Sequence, residues 1–329
     1  MTGPDATPPS IVVIVDDPDE LPPGLTVEAS PAPLTFVWDL PAARDALPGA
    51  DVVFLWRMRS RLLAQAWESA TTLRWVHTVS AGLDLVLFPE LVRSDVVVTN
   101  SRGVYDGAMA EYALALMLAA AKDLPATLAL QREREWVFRY TETLTDKRLL
   151  VVGPGSIGRA VARLAAAFGM RTAAVGRSPR DGDPDFSRIA GPDGLLDAVA
   201  DADYVVLTVP LTDASRGMID EKALAAMKPT ARLINLARGA IVDQDALVDA
   251  LREGRIAGAG LDVFAAEPLD PASPLWAMPN VVVSPHISGD TDTSEQDVVD
   301  LFLDNLRRWL AGEPLRNVVD KRLGFVTGP

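Results

Sequence analysis

The sequence contains no cysteine, only two histidines and few aromatic residues. The absence of cysteine excludes disulfide bonds, thiolate metal sites and a cysteine nucleophile, and we expect no bound metal. No apolar run approaches the roughly 20 residues that span a bilayer. The first ten residues are polar and rich in proline, and the apolar run 11–15 is far too short for the core of a signal peptide. We therefore expect a cytoplasmic protein with no membrane partner.

Positive charge is also scarce, because 31 Lys and Arg stand against 45 Asp and Glu and give a net charge of −14. Such a surface repels phosphate backbones, so nucleic acid is not an expected partner. An anionic substrate must then be attracted by local positive groups. The chain has 329 residues, of which 49% are hydrophobic. This length and composition predict a folded protein of two domains.

Short apolar runs rich in β-branched residues alternate with helical patterns along most of the chain. Continuous runs of this kind are typical of parallel strands buried on both faces. The predicted strands are 11–15, 51–56, 73–79, 96–99, 148–152, 172–175, 204–208, 233–236, 259–263 and 281–284. The predicted helices are 108–121, 157–168, 243–253 and 293–311. This alternation favours a doubly wound α/β architecture.

The helix 108–121 is nearly free of charge and should therefore be widely buried. It is either an ordinary core helix, a connection between domains or a contact with a second subunit.

The strand 148–152 is followed by the turn Gly153-Pro154-Gly155-Ser156-Ile157-Gly158 and then by an Ala-rich helix. This is a GxGxxG motif between a strand and a helix, the context in which it binds dinucleotides. Gly153 permits the tight turn, Gly155 lets a pyrophosphate approach the backbone, and Gly158 lets helix and strand pack closely. The backbone N–H groups of Ser156 and Ile157 are expected to bind the anion at the helix N-terminus.

The choice of dinucleotide depends on the end of the next strand, 172–175. An acidic residue there would hydrogen-bond the ribose 2′-hydroxyl of NAD. Here the strand is followed by Gly176-Arg177-Ser178-Pro179-Arg180, with no acidic residue until Asp181. Arg177, Ser178 and Arg180 are suited to a 2′-phosphate, although loop arginines are often simply solvated. We therefore predict NADP, with NAD possible.

Three further segments place polar residues after predicted strands, where open α/β sheets carry their chemistry. They are Asn235-Leu236-Ala237-Arg238-Gly239, Leu261 to Leu269 with Asp262 and Glu267, and Ser284-Pro285-His286-Ile287-Ser288-Gly289. Each segment alone could be an ordinary loop.

Together and in this order, the three segments resemble the signature of the D-2-hydroxyacid dehydrogenase family. The resemblance runs from Asp51 to about Val318 and includes the glycine turn, Val79 to Asp84, and Val209-Pro210-Leu211-Thr212. It implies a Rossmann cofactor domain (101–288) inserted in a flavodoxin-like substrate domain (1–100 and 289–329). It also implies a homodimer formed through the cofactor domain.

The resemblance implies a reaction between NAD(P)(H) and a 2-keto or D-2-hydroxy acid. His286 would carry the proton, since an imidazole titrates near neutral pH. Glu267 would orient His286 and favour its charged form. Arg238 would bind the substrate carboxylate and the polarised carbonyl oxygen.

The resemblance assigns a carboxylate cradle to the backbone of Ser80, Ala81 and Gly82. It assigns cofactor contacts to Val209, Pro210 and Ala237, and a contact with the nicotinamide carboxamide to Asp262. Three residues have more ordinary interpretations: Asp84 as a helix cap, His77 as a buried hydrogen-bonded side chain, and Trp56 as core. Arg57 and Met58 end the same strand as Trp56 and could shape substrate choice, although core packing is the ordinary interpretation of Met58.

Two other functions remain open at this stage. A dinucleotide-sensing corepressor or scaffold can use the same fold and keep the same three residues, since a fold does not dictate a function. A formate dehydrogenase is less well supported, because its relatives carry glutamine where Glu267 stands. The substrate also remains open between glyoxylate, hydroxypyruvate and a bulkier keto acid. A long, regulated phosphoglycerate dehydrogenase is not expected, since no additional regulatory domain is visible.

Overall fold

A computed structural model describes residues 9–27, 30–56 and 60–327. The chain divides into two compact units. The first combines the described residues up to Val104 with those from Thr291 onward, and the second runs from Tyr105 to Asp290.

The first unit contains a five-stranded parallel sheet in the order β2-β1-β3-β4-β5. Counted from the first strand, this is the 2-1-3-4-5 order of flavodoxin-like folds. The strands are β1 (Ile11–Ile14), β2 (Leu34–Val37), β3 (Val52–Leu55), β4 (Trp75–Thr78) and β5 (Val97–Thr99). Its helices are α1 (Leu40–Ala46), α2 (Ser60–Gln65), α3 (Pro89–Arg93) and α10 (Ser294–Ala311), with a 3-10 turn at Trp67–Ser69. A short antiparallel pair, β14 (Val319–Asp320) and β15 (Phe325–Val326), completes this unit.

The second unit contains an eight-stranded sheet in the order β13-β12-β11-β10-β6-β7-β9-β8. Leaving out the edge strands β13 and β8, this is the 3-2-1-4-5-6 order of a Rossmann fold. The strands are β6 (Arg148–Val152), β7 (Arg171–Val175), β8 (Arg180–Asp181), β9 (Arg188–Ala190), β10 (Tyr204–Leu207), β11 (Arg232–Asn235), β12 (Gly258–Leu261) and β13 (Val281–Val283). All pairs are parallel except β8 with β9.

Helices cover the second sheet, and two of them begin at an aspartate that caps the helix N-terminus. They are α4 (Asp106–Ala121), α5 (Leu124–Glu133), α6 (Ser156–Ala167), α7 (Leu195–Asp201), α8 (Glu221–Ala226) and α9 (Gln244–Arg252), with 3-10 turns at Pro192–Gly194, Gly239–Ile241 and Pro274–Ala277. The carboxylates of Asp220 and Asp243 accept hydrogen bonds from the first turns of α8 and α9. Such caps satisfy N–H groups that have no partner within the helix.

Small residues let α4 pack directly on the second sheet. A Cβ added at Gly260 of β12 would lie 3.0 Å from a methyl carbon of Leu116. Helix α4 also packs against α6. The core interpretation of the helix predicted at 108–121 therefore describes its packing within this unit.

Helix α10, near the end of the chain, packs its buried face into the core of the first unit. The ring of Phe302 stacks on Phe54 with centroids 4.3 Å apart and on Trp75 at 5.5 Å. All three side chains are essentially buried. Aromatic contacts of this kind add to the stabilisation from buried apolar area, which explains why residues so distant in sequence belong to one core.

The ten predicted strands and four predicted helices are all present, with ends that differ by at most two residues. Sequence patterning missed β2, the short strands β8, β9, β14 and β15, and most short helices. These elements are too short to show a period, and their place in the fold depends on neighbouring elements.

Candidate active site

The glycine turn lies between β6 and α6 and is packed tightly against the end of β10. Gly153 has a φ of +106°, and a Cβ on it would lie 2.6 Å from the backbone nitrogen of Val209. A Cβ on Gly158 would lie 2.2 Å from the carbonyl oxygen of Gly153. Gly153 therefore needs its conformation, and Gly158 needs its small size, as the sequence pattern predicts.

Gly155 stands in a different environment, since a Cβ on it would meet no heavy atom within 4 Å. It is exposed and forms the N-cap of α6, where no side chain supplies a capping hydrogen bond. The start of this helix therefore presents its dipole and its first N–H groups to an open space. This geometry fits a pyrophosphate group. The hydroxyl of Ser156 donates to a carboxylate oxygen of Asp106 at 3.1 Å.

The loop after β7 carries the residues predicted to bind a 2′-phosphate. Arg177, Ser178 and Arg180 are all exposed. The guanidinium of Arg180 donates to Asp183 over 2.8 and 3.1 Å. Asp183 also accepts from Arg159 of α6 at 2.8 Å, and these hydrogen bonds hold the pKa of Asp183 well below its usual range, although burial opposes them. Arg180 is thus held by an ion pair, which the sequence pattern did not predict.

Arg238 follows β11, and its neighbours hold the turn that carries it. The side-chain oxygen of Asn235 accepts from the backbone N–H of Ala237 at 3.1 Å, and its nitrogen donates to the carbonyl of Arg238 at 3.1 Å. A Cβ on Gly239 would lie 1.8 Å from the carbonyl carbon of Phe264. The chain after β11 and the chain after β12 therefore run in direct contact. This role of Asn235 was not predicted from the sequence, although an Asn at a strand end is a common turn-forming signal.

Glu267 and His286 form a hydrogen-bonded pair. The Nδ1 of His286 lies 2.8 Å from Oε2 of Glu267, while Oε1 of Glu267 accepts the backbone N–H of Phe264 at 2.9 Å. An ionised carboxylate only accepts hydrogen bonds, so Nδ1 carries the proton that it donates. The Nε2 of His286 is then left for substrate chemistry.

The electrostatics of this pair suit a proton carrier. The hydrogen bond that His286 donates to Glu267 and the negative charge of Glu267 raise the pKa of His286, although burial and the positive charge of Arg238 oppose them. Burial acts to raise the pKa of Glu267, but the hydrogen bonds from His286 and Phe264 and the positive charges of His286 and Arg238 together outweigh it, and the pKa is lowered. Arg238 lowers both pKa values through its charge. The structure therefore brings the three predicted catalytic residues into one electrostatic cluster.

Asp262 organises the segment that carries His286. Its buried carboxylate accepts from the hydroxyl of Ser284 at 2.6 Å and from the backbone N–H groups of Ile287 and Ser288 at 3.0 and 2.9 Å. Its carbonyl accepts the N–H of His286 at 2.8 Å. Burial would raise the pKa of Asp262, but these hydrogen bonds outweigh it and the pKa is lowered.

His286 itself has a φ of +56°, a left-handed conformation that costs a residue other than glycine about 1–2 kcal/mol. The bonds to Asp262 hold it there. Sequence reasoning assigned Asp262 to the cofactor alone and missed this second role, because it depends on two segments that are more than twenty residues apart.

The predicted carboxylate cradle lies in the first unit, after β4. Ser80, Ala81 and Gly82 are half-buried. The hydroxyl of Ser80 donates to the carbonyl of Gly82 at 2.6 Å, and the amide of Asn100 donates to the carbonyl of Ala81 at 2.6 Å. These two bonds engage carbonyl oxygens and fix the turn, while the N–H of Ser80 donates to Oγ1 of Thr78 at 3.5 Å.

Other predicted residues have mixed outcomes. His77 is fully buried and hydrogen-bonded to Thr99 at 2.7 Å, and burial lowers its pKa to about 3, so its interpretation as a buried residue is confirmed. Trp56 is buried, as predicted, whereas Arg57 and Met58 lie outside the described residues. The prediction that Asp84 caps a helix is wrong, because it lies in a turn and the next helix begins at Pro89.

The remaining residues predicted to contact the cofactor lie at the ends of their strands. Val209 is half-buried and Pro210 is exposed just after β10, and Ala237 is buried just after β11.

Two properties concern the chain as a whole. Within the described ranges, no group of three or more His, Asp or Glu side chains is arranged to hold a metal ion. In the same part of the chain, no single helix is long and apolar enough to cross a bilayer, although the bent pair α4 and α5 would pass on length and composition alone.

Comparison with known proteins places this geometry in context. The family described as "D-isomer specific 2-hydroxyacid dehydrogenase, NAD binding domain" matches residues 114–288. A glyoxylate reductase of Korarchaeum cryptofilum is 36% identical over 81% of this chain and 82% of its own.

Two solved structures are similar over nearly the whole chain. A D-isomer specific 2-hydroxyacid dehydrogenase from Xanthobacter autotrophicus, in complex with NADPH, has a TM-score of 0.82 and 31% identity over 97% of this chain and 100% of its own. An NADPH-dependent glyoxylate/hydroxypyruvate reductase from Sinorhizobium meliloti, in complex with NADP and sulfate, has a TM-score of 0.81 and 27% identity over the same shares.

Proposed function

The chain belongs to the D-isomer specific 2-hydroxyacid dehydrogenase family, and from this premise we propose that it transfers a hydride between NAD(P)H and a small 2-keto acid. The product of reduction is a D-2-hydroxy acid. Relatives from Korarchaeum cryptofilum and Thermococcus gammatolerans are glyoxylate reductases, and a similar solved structure is a glyoxylate/hydroxypyruvate reductase. Glyoxylate and hydroxypyruvate are therefore the first substrates to test.

The observation that carries the proposal is the pair formed by Glu267 and His286 beside the charge of Arg238. When bound, the nicotinamide supplies the hydride that reaches C2 of the keto acid. His286, protonated on both nitrogens, donates the Nε2 proton to the carbonyl oxygen as that oxygen gains negative charge. Glu267 holds the Nδ1 side and stabilises the imidazolium. In the oxidative direction the neutral imidazole removes the hydroxyl proton.

Arg238 is assigned to the substrate anion. Its planar guanidinium can pair with a carboxylate and also stabilise the developing oxyanion. On a protein with a net charge of −14, a local fixed cation is needed to attract an anionic keto acid. We assign a second carboxylate contact to the backbone of Ser80, Ala81 and Gly82, a turn that is fixed by hydrogen bonds to the carbonyl oxygens of Ala81 and Gly82.

The pyrophosphate of the cofactor is assigned to the start of α6, at Gly155, Ser156 and Ile157. NADPH is the proposed preferred reductant, with NADH possible, because Gly176 offers no acid to the adenosine ribose. Arg177, Ser178 and Arg180 would bind the 2′-phosphate, and Asp183 holds Arg180 in the loop.

The same assignment gives the second unit the role of cofactor domain and the first unit that of substrate domain. Val209, Pro210 and Ala237 are assigned to contacts with the cofactor, and Asp262 is assigned to the nicotinamide carboxamide.

Turnover of purified protein tests the reaction. A panel of small 2-keto acids with NADPH or NADH, followed at 340 nm, should show oxidation of the cofactor. His286→Ala should lower turnover roughly a hundredfold or more. Arg238→Ala should lose activity, whereas Arg252→Ala, an exposed arginine near the end of α9, should not. Tight cofactor binding without turnover of any keto acid would favour a dinucleotide sensor instead.

We also propose that the protein is a homodimer. The chain from 134 to 143 carries Trp136, Phe138 and Tyr140, which are 100%, 79% and 92% exposed. A cluster of large exposed rings is typical of an interface. Light scattering on a sizing column should report a dimer, and Trp136→Ser with Phe138→Ser should produce a monomer. Trp276→Ser, at another half-exposed tryptophan, is the control. A wild-type monomer at micromolar concentration would contradict the proposal.

A cytoplasmic location, without nucleic acid or membrane partners, also belongs to the proposal. It suits a reaction that consumes reduced nicotinamide cofactor and a surface of strong negative charge. Cell fractionation checks the location.

A further inference from the structure

Gly176 lies at the tip of β7, the position from which an acidic side chain would select NAD. Its backbone N–H donates to Ala190 at 2.9 Å and continues the pairing of β7 with β9. Its φ lies outside the left-handed range, so its backbone conformation alone would admit other residues. If glycine is required here, the reason must therefore be a lack of room for a side chain.

That space is filled by Pro154, the second residue of the glycine turn. A Cβ added at Gly176 would lie 2.7 Å from Cγ and 2.8 Å from Cδ of Pro154. Distances below 3.0 Å are essentially never seen for a real Cβ. The next neighbour, Cγ2 of Ile189, lies at an ordinary 3.5 Å. The two ring carbons of one proline thus account for the whole obstruction.

Pro154 cannot easily move out of the way. Its ring fixes φ near −65° and leaves no rotatable side chain. The turn on which it stands is itself held, because the N–H of Gly153 donates to the carbonyl of Val175 at 2.9 Å and Gly153 packs on the backbone of Val209. A residue with a side chain at 176 would therefore displace the phosphate-binding turn.

We propose that Pro154 is a specificity-determining residue, whose ring excludes any side chain from position 176 and so prevents this chain from acquiring the acid that would select NAD. This inference rests on the proposed function. It assigns cofactor choice to a steric contact between two loops in addition to the arginines that follow. It also implies that position 176 and position 154 must change together.

Stability measurements test the contact without any cofactor. Gly176→Ala should lower the midpoint of thermal unfolding by about 3–10 °C, as expected for an overpacked site in a domain of this size. Pro154→Ala removes the two blocking carbons and keeps Cβ, while it restores a backbone N–H and frees φ. In the double variant Pro154→Ala with Gly176→Ala, most of the loss should disappear. This recovery is a coupling that independent sites would not show.

Gly191 supplies the matched control. A Cβ on Gly191 would also face a proline, Pro179, but at 3.7 Å or more, which is ordinary contact. Gly191→Ala should therefore leave the unfolding midpoint nearly unchanged. A Gly176→Ala protein as stable as Gly191→Ala would overturn the proposed obstruction.

Direct titration of NADPH and NADH, by calorimetry or fluorescence, tests the consequence for specificity. Gly176→Asp alone should weaken both cofactors. Pro154→Ala alone should keep the wild-type preference. Pro154→Ala with Gly176→Asp should bind NADH at least tenfold more tightly than Pro154→Ala does, and NADPH at least tenfold more weakly. Pro154→Ala with Gly176→Ala should recover stability without the gain in NADH affinity. This variant separates the effect of the added carboxylate from the effect of removing the steric obstruction.

Two results would refute the inference. One is a gain of NADH affinity in Gly176→Asp with Pro154 in place. The other is a stable double variant, Pro154→Ala with Gly176→Asp, whose NADH affinity does not rise. A wild-type protein that binds neither dinucleotide would refute the proposed function instead, and the stability comparison of Gly176→Ala with Gly191→Ala would still test the contact.

Discussion

Replacing Asp262 by asparagine should destabilise the protein far more than an isosteric change normally does. Oδ1 of Asp262 accepts two hydrogen bonds, from Ser284 and Ile287, and Oδ2 accepts one from Ser288. The residue is fully buried. An asparagine amide can present its oxygen to only one of these two sides, so its NH₂ group must face at least one N–H donor.

The magnitude follows from these bonds. With the amide oxygen placed at Oδ1, the N–H of Ser288 loses its partner, which costs about 1–3 kcal/mol for a buried donor. The other two bonds change from charged to neutral acceptors, a loss of roughly 1 kcal/mol each. The free energy of unfolding should therefore fall by about 3–5 kcal/mol. In the opposite amide orientation the N–H of Ile287 loses its partner and the hydroxyl of Ser284 must turn to accept from the amide, at a similar cost.

Denaturant unfolding followed by circular dichroism measures this loss. Asp243→Asn is the matched control, because Asp243 is an exposed helix cap that accepts one bond, from Ala246 at 3.1 Å. Asparagine caps a helix about as well as aspartate, so this variant should be nearly neutral. Turnover by Asp262→Asn should also fall, since the left-handed backbone of His286 loses its support. An Asp262→Asn protein as stable as Asp243→Asn would refute the reasoning.

Three further predictions follow from the site and the core. Glu267→Gln should shift the pH profile for reduction towards acid, because loss of the carboxylate lowers the pKa of His286 and a lower pH is then needed to keep it charged; an unchanged profile would contradict the pairing. In titrations, Arg177→Ala with Arg180→Ala should weaken NADPH binding roughly tenfold to a hundredfold, leave NADH binding almost unaffected and reduce the salt dependence of NADPH binding. A wild-type protein that prefers NADH would show instead that these arginines are solvated loop charges. His77 stays neutral in the folded state down to about pH 3, whereas the unfolded chain takes up this proton below about pH 6.5, so stability is lost as the pH falls from 6.5 at about 1.4 kcal/mol per pH unit, and unfolding curves of His77→Gln should lack this component.

The strands that carry the chemistry were predictable because their signal is local. Arg148–Val152 is an uninterrupted apolar run after its first residue, and the glycines that follow have spacings tied to one geometry. The strand Leu34–Val37 was missed because its pattern is weak and only its pairing with β1 identifies it. The short helix Pro89–Arg93 was missed for a similar reason, and Asp84 was wrongly predicted to cap a helix.

Roles that join distant segments could not be inferred from local patterns. Asp262 holds the segment around His286, although the two lie more than twenty residues apart in the sequence. Arg180 had the residue type for a phosphate contact, but its ion pair with Asp183 depends on the fold of the loop.

By itself the sequence determined the α/β class, the glycine turn and the identity of Arg238, Glu267 and His286, because residue type, spacing and order along the chain carry that information. Tertiary structure alone decided that Nδ1 of His286 meets Glu267 at 2.8 Å and that the ring of Pro154 fills the space beside Gly176. The physical reason is range. Propensity and periodicity act over a few residues, whereas hydrogen bonds and steric exclusion act between atoms that only folding brings together.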